Sequence, residues 1–473
     1  MQPLDKDQQT ICALATPAGV GAISVVRISG DQAKDIILAA CPGLKNKNIE
    51  SHKAYFTKFK NEKYENIDEV VVTYFADQKS YTGEPSAEIS CHGNPLVTEK
   101  ILNRLHRLGA RSADRGEFTY RAFMNDKIDL VQAEAVLSVI ESQTENALKV
   151  SLRQLEGKTS KEFLAIESEL IWCLAHIEAS IDFSTEGLDV VDQNVLIQKL
   201  KKIQNDLQKM IGSHKSGKIL KDGLKIVFTG QPNVGKSSLL NQIVEKEKAI
   251  VTEIAGTTRD VIESTTIYNG LKIIVCDTAG LRETKDVVEK IGVEKSLQEA
   301  ASADICIYVF DASMGITKDD ENLILNIPNK MVLFVANKSD KLSAAAMAMR
   351  LAETTKKLQN LAAHKPSLDE KNLLFLSALD QACRDQLLLS ITAEFKNLDF
   401  LNESLISSVR QFEMSQNAER ALSNVVLELE QNAGSEFIAQ TLKGALLSIQ
   451  KILGHSFDDQ IMDRVFKEFC IGK

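Results

Sequence analysis

Gly230-Gln231-Pro232-Asn233-Val234-Gly235-Lys236-Ser237 follows the apolar run Leu224 to Thr229 and precedes Ser238-Leu239-Leu240, where helical spacing begins. A glycine-rich turn between a strand and a helix, ending in Lys-Ser, has the spacing of a phosphate-binding loop. Its glycines let backbone N–H groups close around phosphate oxygens at the positive end of a helix. Lys236 is then placed to reach the outer phosphates, and the Ser237 hydroxyl to ligand Mg²⁺.

Downstream, Asp277-Thr278-Ala279-Gly280 closes a second apolar strand, Leu271 to Cys276. A carboxylate there holds the metal through water, and the glycine N–H senses the γ-phosphate. Further strands are expected at Ile305 to Phe310 and Met331 to Ala336, the latter followed by Asn337-Lys338-Ser339-Asp340. Asp340 can accept from both N1 and N2 of guanine, a donor pair that adenine lacks, so the wrong base leaves buried groups unpaired. Ser377-Ala378, after Leu373 to Leu376, fits the remaining base-contacting loop. Four signals in this order, each at a strand end, specify a guanine nucleotide on a parallel sheet wrapped in helices.

The position after Gly280, where many Ras-like proteins carry a water-orienting glutamine, is Leu281. Glu289 is the candidate for that task, although taken alone it reads as a solvated helix acid pairing with Lys285 four residues back. Ile250 to Asp260 lies where the first switch segment belongs. Thr258 is its expected second Mg²⁺ ligand, and Arg259 is either an arginine finger in cis or a structural residue of the loop.

The chain of 473 residues and 52.2 kDa exceeds one ordinary core. Residues 1–124 mix short β-rich runs (Ala22 to Ile28, Glu69 to Phe75, Ala87 to Cys91) with glycine turns and one amphipathic helix, Leu96 to Leu108, as in a compact α/β domain. From Leu96 to Gln231 proline is absent. Leu130, Ala133, Val136, Leu137 and Ile140 form one helical stripe, and Ile166, Leu170, Leu174 and Ile177 another, so 125–219 reads as helical. The segment Gly212 to Gly223 reads as a break before the nucleotide-binding domain at 220–379. Helical spacing returns over Leu401 to Leu453, within 380–473. The layout is therefore α/β plus all-α: an amino-terminal α/β domain, then one discontinuous helical-bundle domain interrupted by an inserted Ras-like P-loop domain, the economical reading, with two separate helical domains as the alternative.

Met1 to Thr10 lacks the basic and apolar regions of a signal peptide, and no apolar stretch spans a membrane, so a cytoplasmic protein without membrane partners is expected. Eight scattered cysteines lack zinc or redox spacing. A net charge of −9 disfavours a large nucleic-acid footprint, so an RNA substrate would be held partly by another protein.

Gly230 to Ser238 together with Gly256-Thr257-Thr258-Arg259-Asp260 resembles the TrmE/Era/EngA group of translation-linked GTPases. The whole-chain layout and the terminal Cys470-Ile471-Gly472-Lys473 resemble the MnmE (TrmE) family of tRNA modification GTPases. That resemblance implies nucleotide contacts from Asn233, Val234, Gly235, Lys236, Ser237, Ser238, Thr252, Glu253, Ile254, Ala255, Gly256, Thr257, Thr258, Asp277, Thr278, Ala279, Gly280, Asn337, Lys338, Asp340, Ser377 and Ala378. It implies Mg²⁺ at Ser237 and Thr258, and activation by K⁺ held at Asn233, Thr252, Ile254 and Thr257 in the place of an arginine finger. Glu289 becomes the water-orienting acid, and Arg259 loses its claim.

The same resemblance implies 5,10-methylenetetrahydrofolate, or 5-formyltetrahydrofolate as analogue, in the amino-terminal domain at Arg27, Glu88, Lys127 and Lys473, with Cys470 nearby. It implies a homodimer, a heterotetramer with the flavoprotein family MnmG (GidA) that brings FAD and NADH, and tRNA modified at C5 of the wobble uridine (position 34) with an aminomethyl or carboxymethylaminomethyl group. The alternatives are an Era-like ribosome-assembly switch, against which stands the lack of a basic RNA-binding stripe, and a dynamin-like assembly, which gives no reason for the Cys-Ile-Gly-Lys end.

Overall fold

The computed structural model describes residues 9–182, 192–244, 263–276, 303–328, 331–366, 368–395, 405–457, 462 and 465–473. The chain divides into two compact units, one of residues 1–141, 151–211 and 408–473, the other of 142–150 and 212–407.

In the first unit, β1 (Ile11–Leu14), β2 (Ile23–Ser29), β3 (Ala54–Lys60), β4 (Asn66–Phe75), β5 (Ser86–His92) and β6 (Arg111–Ser112) form one sheet in the order β3-β4-β5-β2-β1-β6. Its pairs are antiparallel except β1 with β6. Alternation decides the two faces. Val26, Ile28, Val70, Val72, Ala87 and Ile89 form a buried core with Ile36 and Ile37 of α1 (Ala33–Ala40) and Ile101 and Leu105 of α2 (Pro95–Arg107). The intervening positions, Arg27, Thr73, Ser86 and Glu88, fall on the opposite face. α2 starts with Pro95 in its first turn behind Asn94, whose side chain accepts from Leu96 N. The strand Ala54–Lys60 and the two-residue β6 had no counterpart among the expected elements.

The helical part of this unit follows α3 (Glu117–Met124) with α4 (Leu130–Glu141), α5 (Glu145–Leu155) from Ser151 on, α6 (Lys158–Asp182) and α7 (Gln193–Asp222) as far as Ile211. The expected stripes are largely inward: Leu130, Ala133, Leu137, Ile166, Leu170 and Ile177 are buried, whereas Ile140 is 48% exposed and Cys173 takes an inner place that had not been assigned. Late in the chain, Val409–Glu430 and Ser435–Leu453 are helices that pack on each other, and the second also packs on α6.

In the second unit, β7 (Leu224–Thr229), β8 (Glu263–Tyr268), β9 (Leu271–Cys276), β10 (Ile305–Asp311), β11 (Met331–Asn337) and β12 (Leu373–Phe375) lie in the order β12-β11-β10-β7-β9-β8. The five expected strands pair in parallel, and β8, for which no strand had been expected, runs antiparallel to β9 at the sheet edge. Leu224, Ile226 and Phe228 pack on one face with Ile307 and Val309, and Val227, Tyr308 and Phe310 on the other, which is why these strands read as continuous apolar runs.

Two boundaries differ from expectation. Gly212 to Gly223 is no break: α7 continues through it to Asp222. Gly217 sits there because a Cβ would strike the Ile406 carbonyl oxygen, and the helix stops only at Gly223, with φ +98°. At the other end, the unit runs to Ser407 rather than stopping at 379. The helix Cys383–Thr392 buries Leu387, Leu388 and Ile391 in the same core as the sheet, so its apolar residues belong to this unit's interior.

Candidate functional site

The phosphate loop joins β7 to α8 (Lys236–Val244). Gly230 adopts φ +133° where any side chain would meet the Val309 carbonyl, and Gly235 adopts φ +98° against the Asn337 amide, so both positions require glycine. Asn233 holds a left-handed φ of +62°, a conformation non-glycine residues adopt at some cost, with its side chain exposed. The Lys236 ammonium donates to Gly230 O at 2.9 Å and Gln231 O at 2.8 Å, and burial lowers its pKa. Ser237 and Ser238 lie in the first turn of α8, where free N–H groups face an anion.

The residues expected to read the base gather beside this loop. Asn337, only 1% exposed, donates from Nδ2 to Val234 O at 2.8 Å and accepts from Ala378 N at 3.1 Å through Oδ1. Lys338, at φ +64°, reaches Asn233 O at 2.7 Å and Asp311 Oδ2 at 2.9 Å. The Ser377 hydroxyl donates to Asp340 Oδ1 at 2.6 Å and accepts from Leu379 N at 3.2 Å, tying the carboxylate to the Ser377-Ala378 segment. Desolvation pushes the Asp311 carboxyl upward, but bonds from Ser313 and Lys338 outweigh it and hold the group below its ordinary range. Thr252, Glu253, Ile254, Ala255, Gly256, Thr257, Thr258, Asp277, Thr278, Ala279, Gly280 and Glu289 lie outside the described residues.

In the first unit, Arg27 and Glu88 are register partners on β2 and β5, and Arg27 donates to Glu88 Oε1 from Nη2 at 2.8 Å and from Nε at 3.1 Å. The Arg27 guanidinium lies 5.7 Å from the Tyr81 ring centroid and 5.6 Å from that of Phe118. A cavity of about 230 Å³ opens beside the pair, lined also by His52, Phe75, Lys79, Tyr81, Thr82 and Ser86. The chain end comes to the same place: Phe118 N donates to Lys473 O at 3.2 Å, and Gly472 adopts φ +97° against Leu14. Burial and the Arg27 charge lower the Lys473 pKa, against an upward pull from Glu88 and Cys470. Cys470 is exposed. Lys127 packs on the loop at Gly83 and donates to Gln78 O at 2.9 Å.

The loop carrying Tyr81 and Thr82 is fixed from below. Tyr81 Oη and Thr119 Oγ1 are 3.0 Å apart, and Asn125 donates to Thr82 O at 2.7 Å. Arg121, 4% exposed, bonds both oxygens of Glu84, Glu117 Oε1 at 2.9 Å and Gln9 O at 2.8 Å. Sequence reading missed Tyr81, Thr82, Arg121 and Glu84. The available signal was Ser80-Tyr81-Thr82-Gly83-Glu84-Pro85, a turn cluster that includes an aromatic residue.

A P-loop on a six-stranded sheet, with the Asn337 to Asp340 segment beside it and a cavity in a separate α/β domain, has the arrangement of a GTPase with an additional domain. The model for the GTP-binding protein TrmE N-terminus matches residues 10–127, and that for the MnmE helical domain matches residues 130–470. The chain is 48% identical over 99% of its length to the tRNA modification GTPase MnmE of Bdellovibrio bacteriovorus, covering 98% of that protein. It is 37% identical over 99% of its length to the MnmE of Flavobacterium johnsoniae, covering all of it. Among solved structures, a variant of Aquifex aeolicus Era bound to GDP.AlF4- aligns with 42% of this chain and 66% of its own, at 31% identity and a TM-score of 0.29. The chain belongs to the MnmE family of tRNA modification GTPases. No described helix is long and apolar enough to cross a membrane.

Proposed function

We propose that this GTPase is activated by potassium and drives folate-dependent modification at C5 of the wobble uridine, position 34, of certain tRNAs, jointly with a flavoprotein of the MnmG (GidA) family that brings FAD and NADH. The product carries an aminomethyl or carboxymethylaminomethyl group, and the protein works as a cytoplasmic homodimer within a heterotetramer. The observation that carries this reading is the Arg27–Glu88 pair, joined across two strands at one cavity, with the Lys473 ammonium of the distant chain end near enough to feel both charges.

These residues suit a reduced folate. Both bonds from Arg27 fall on Glu88 Oε1, leaving Oε2 to accept from pterin N–H donors, and Tyr81 offers an aromatic wall. Lys473 and Lys127 supply cations for the folate carboxylates. A bound 5,10-methylenetetrahydrofolate, for which 5-formyltetrahydrofolate is the stable analogue, supplies the one-carbon unit. Cys470 is exposed and close enough to Lys473 for its charge to act on it, which suits a place beside the bound folate.

At the nucleotide, Lys236 and the loop N–H groups bind the phosphates, Ser237 and Thr258 hold Mg²⁺, and Asp340 with Ser377 and Ala378 reads guanine. Asn233, exposed and held in its left-handed turn, suits a K⁺ ligand, completed by Thr252, Ile254 and Thr257. A monovalent cation there offsets charge developing between the β- and γ-phosphates. Glu289 orients the attacking water.

The test is steady-state hydrolysis in KCl and in NaCl at equal ionic strength, with ATP as control, followed by reconstituted tRNA modification. Rapid hydrolysis of GTP in K⁺ alone supports the cation reading, and equal slow rates in both salts defeat it. Removing Cys470 to Lys473 is expected to abolish modification; a truncated chain that still modifies tRNA defeats the folate assignment.

A further inference from the structure

The Lys338 ammonium is shared between two groups of different kinds. One is the Asn233 carbonyl of the phosphate loop, at 2.7 Å; the other is the Asp311 carboxylate, at 2.9 Å. Asp311 ends β10 and pairs in register with Asn337 on β11, so the strand ends set the carboxylate next to the residue that precedes Lys338. Its two oxygens are divided. Oδ2 faces Lys338, while Oδ1 accepts from Ser313 N at 2.9 Å and Ser313 Oγ at 2.6 Å. Ser313 is itself anchored, because its carbonyl accepts from Arg350 Nη2 at 2.8 Å.

The chain of contacts therefore runs from Arg350 through Ser313, Asp311 and Lys338 to the Asn233 backbone. A lysine side chain has several flexible torsions, and an ammonium without a counter-charge samples many of them. Fixed by Asp311, its N–H stays aimed at the Asn233 carbonyl. Asn233 needs such a hold, since its φ of +62° is one that an unrestrained asparagine leaves readily for the right-handed or extended regions.

We infer that Asp311 is a positioning residue for the phosphate loop, acting through Lys338 to hold Asn233 in the left-handed turn that presents its side chain at the nucleotide. Asp311 reaches the loop only through the Lys338 ammonium. The consequence for potassium rests on the cation reading given above; the consequence for the loop does not.

The test compares wild type with Asp311→Asn and Asp311→Glu in the full-length protein. It reads the release rate of a fluorescent mant-GDP at saturating Mg²⁺ and the K⁺ concentration giving half-maximal GTP hydrolysis. Asp311→Asn keeps the shape and the Ser313 bonds but loses the charge. It is expected to speed mant-GDP release about tenfold, the scale of one charge-assisted contact, and to raise the half-saturating K⁺ several-fold. Asp311→Glu retains the charge and is expected to recover most of both effects.

Unchanged mant-GDP release in Asp311→Asn overturns the inference. So does equal loss in Asn and Glu variants accompanied by a lower melting temperature, since that marks general damage rather than a charge acting on Lys338. If wild type hydrolyses GTP equally in K⁺ and Na⁺, the cation reading has failed, and mant-GDP release alone judges the positioning role.

Discussion

Asn337 donates to the Val234 carbonyl and accepts from the Ala378 amide, so one buried side chain joins the phosphate loop to the loop at the base. Its truncation leaves the Val234 carbonyl, at a buried residue, and the half-buried Ala378 amide without their partner. Asn337→Ala is expected to cost about 2 kcal/mol in nucleotide binding, about 30-fold in affinity, measured by mant-GDP titration. Asn337→Asp keeps the acceptor for Ala378 N but opposes a carboxylate to the Val234 carbonyl, and is expected to do no better.

Among the described residues Asp340 is held by one strong donor, Ser377 Oγ, at 2.6 Å, and its other acceptor sites are the ones a base would use. Asp340→Asn turns one acceptor into a donor and sets it against the guanine N–H groups. GTP affinity is expected to fall about 100-fold, while xanthosine triphosphate, whose base presents a carbonyl there, gains relative to it. Competition of the two nucleotides against mant-GDP checks this, and an unchanged preference would remove Asp340 from the base site.

Arg121 is enclosed with Glu84 and Glu117, which its guanidinium bridges. Arg121→Met is expected to destabilise the amino-terminal α/β domain by about 3 kcal/mol or more, since it leaves two largely buried carboxylates facing a thioether. Urea titration followed by circular dichroism reads the loss. Folate binding is expected to weaken with it, because the loop bearing Tyr81 and Thr82 depends on Glu84.

Acid should act on the same network. Desolvation pushes the Glu117 carboxyl upward, but bonds from Arg111 and Asp114 N and the charges of Arg121 and Arg111 outweigh it, so the folded pKa lies below the ordinary 4.5. The stability this gives is fully present above about pH 4.5, where the unfolded chain also ionises, and is lost as pH falls through the depressed folded value. Urea midpoints measured from about pH 6 down to about pH 3 should fall for wild type below about pH 4.5, and less steeply for Glu117→Gln.

How far the sequence could be read depended on what each segment buries. Leu224–Thr229 and Leu271–Cys276 are largely enclosed on both faces, so apolar runs interrupted only near their ends, by Lys225, Thr229 and Lys272, marked their bounds to the residue. Ala54–Lys60 leaves its first three residues exposed or half-exposed and carries Lys58 and Lys60 at the sheet edge, so its polar face concealed it. Edge strand Glu263–Tyr268 is polar for the same reason. Gly217 reads as a breaker in sequence, yet in the fold it answers the close passage of Ile406, a contact so far along the chain that no local window contains it.

The candidate site divides likewise. Gly230 to Ser237 and Asn337 to Asp340 follow strands and carry their own spacing, so they stood out. Asp311, Ser313 and Arg121 matter through partners far along the chain, and a strand-end acid or a helical arginine has no pattern that distinguishes it from many others.

Seven of the eight cysteines are enclosed, and burial pushes Cys12 and Cys41 up to about 12 and Cys91 and Cys173 up to about 11, so these thiols stay protonated and shielded. Cys470 alone meets solvent. A maleimide dye added to native protein therefore attaches once, next to Lys473. Each later attachment records the opening of a particular interior: Cys12, Cys41 or Cys91 for the first sheet, Cys173 for the helices, Cys276, Cys306 or Cys383 for the second sheet. Mass spectrometry of the labelled peptides over time thus times the breathing of each layer without a single engineered substitution.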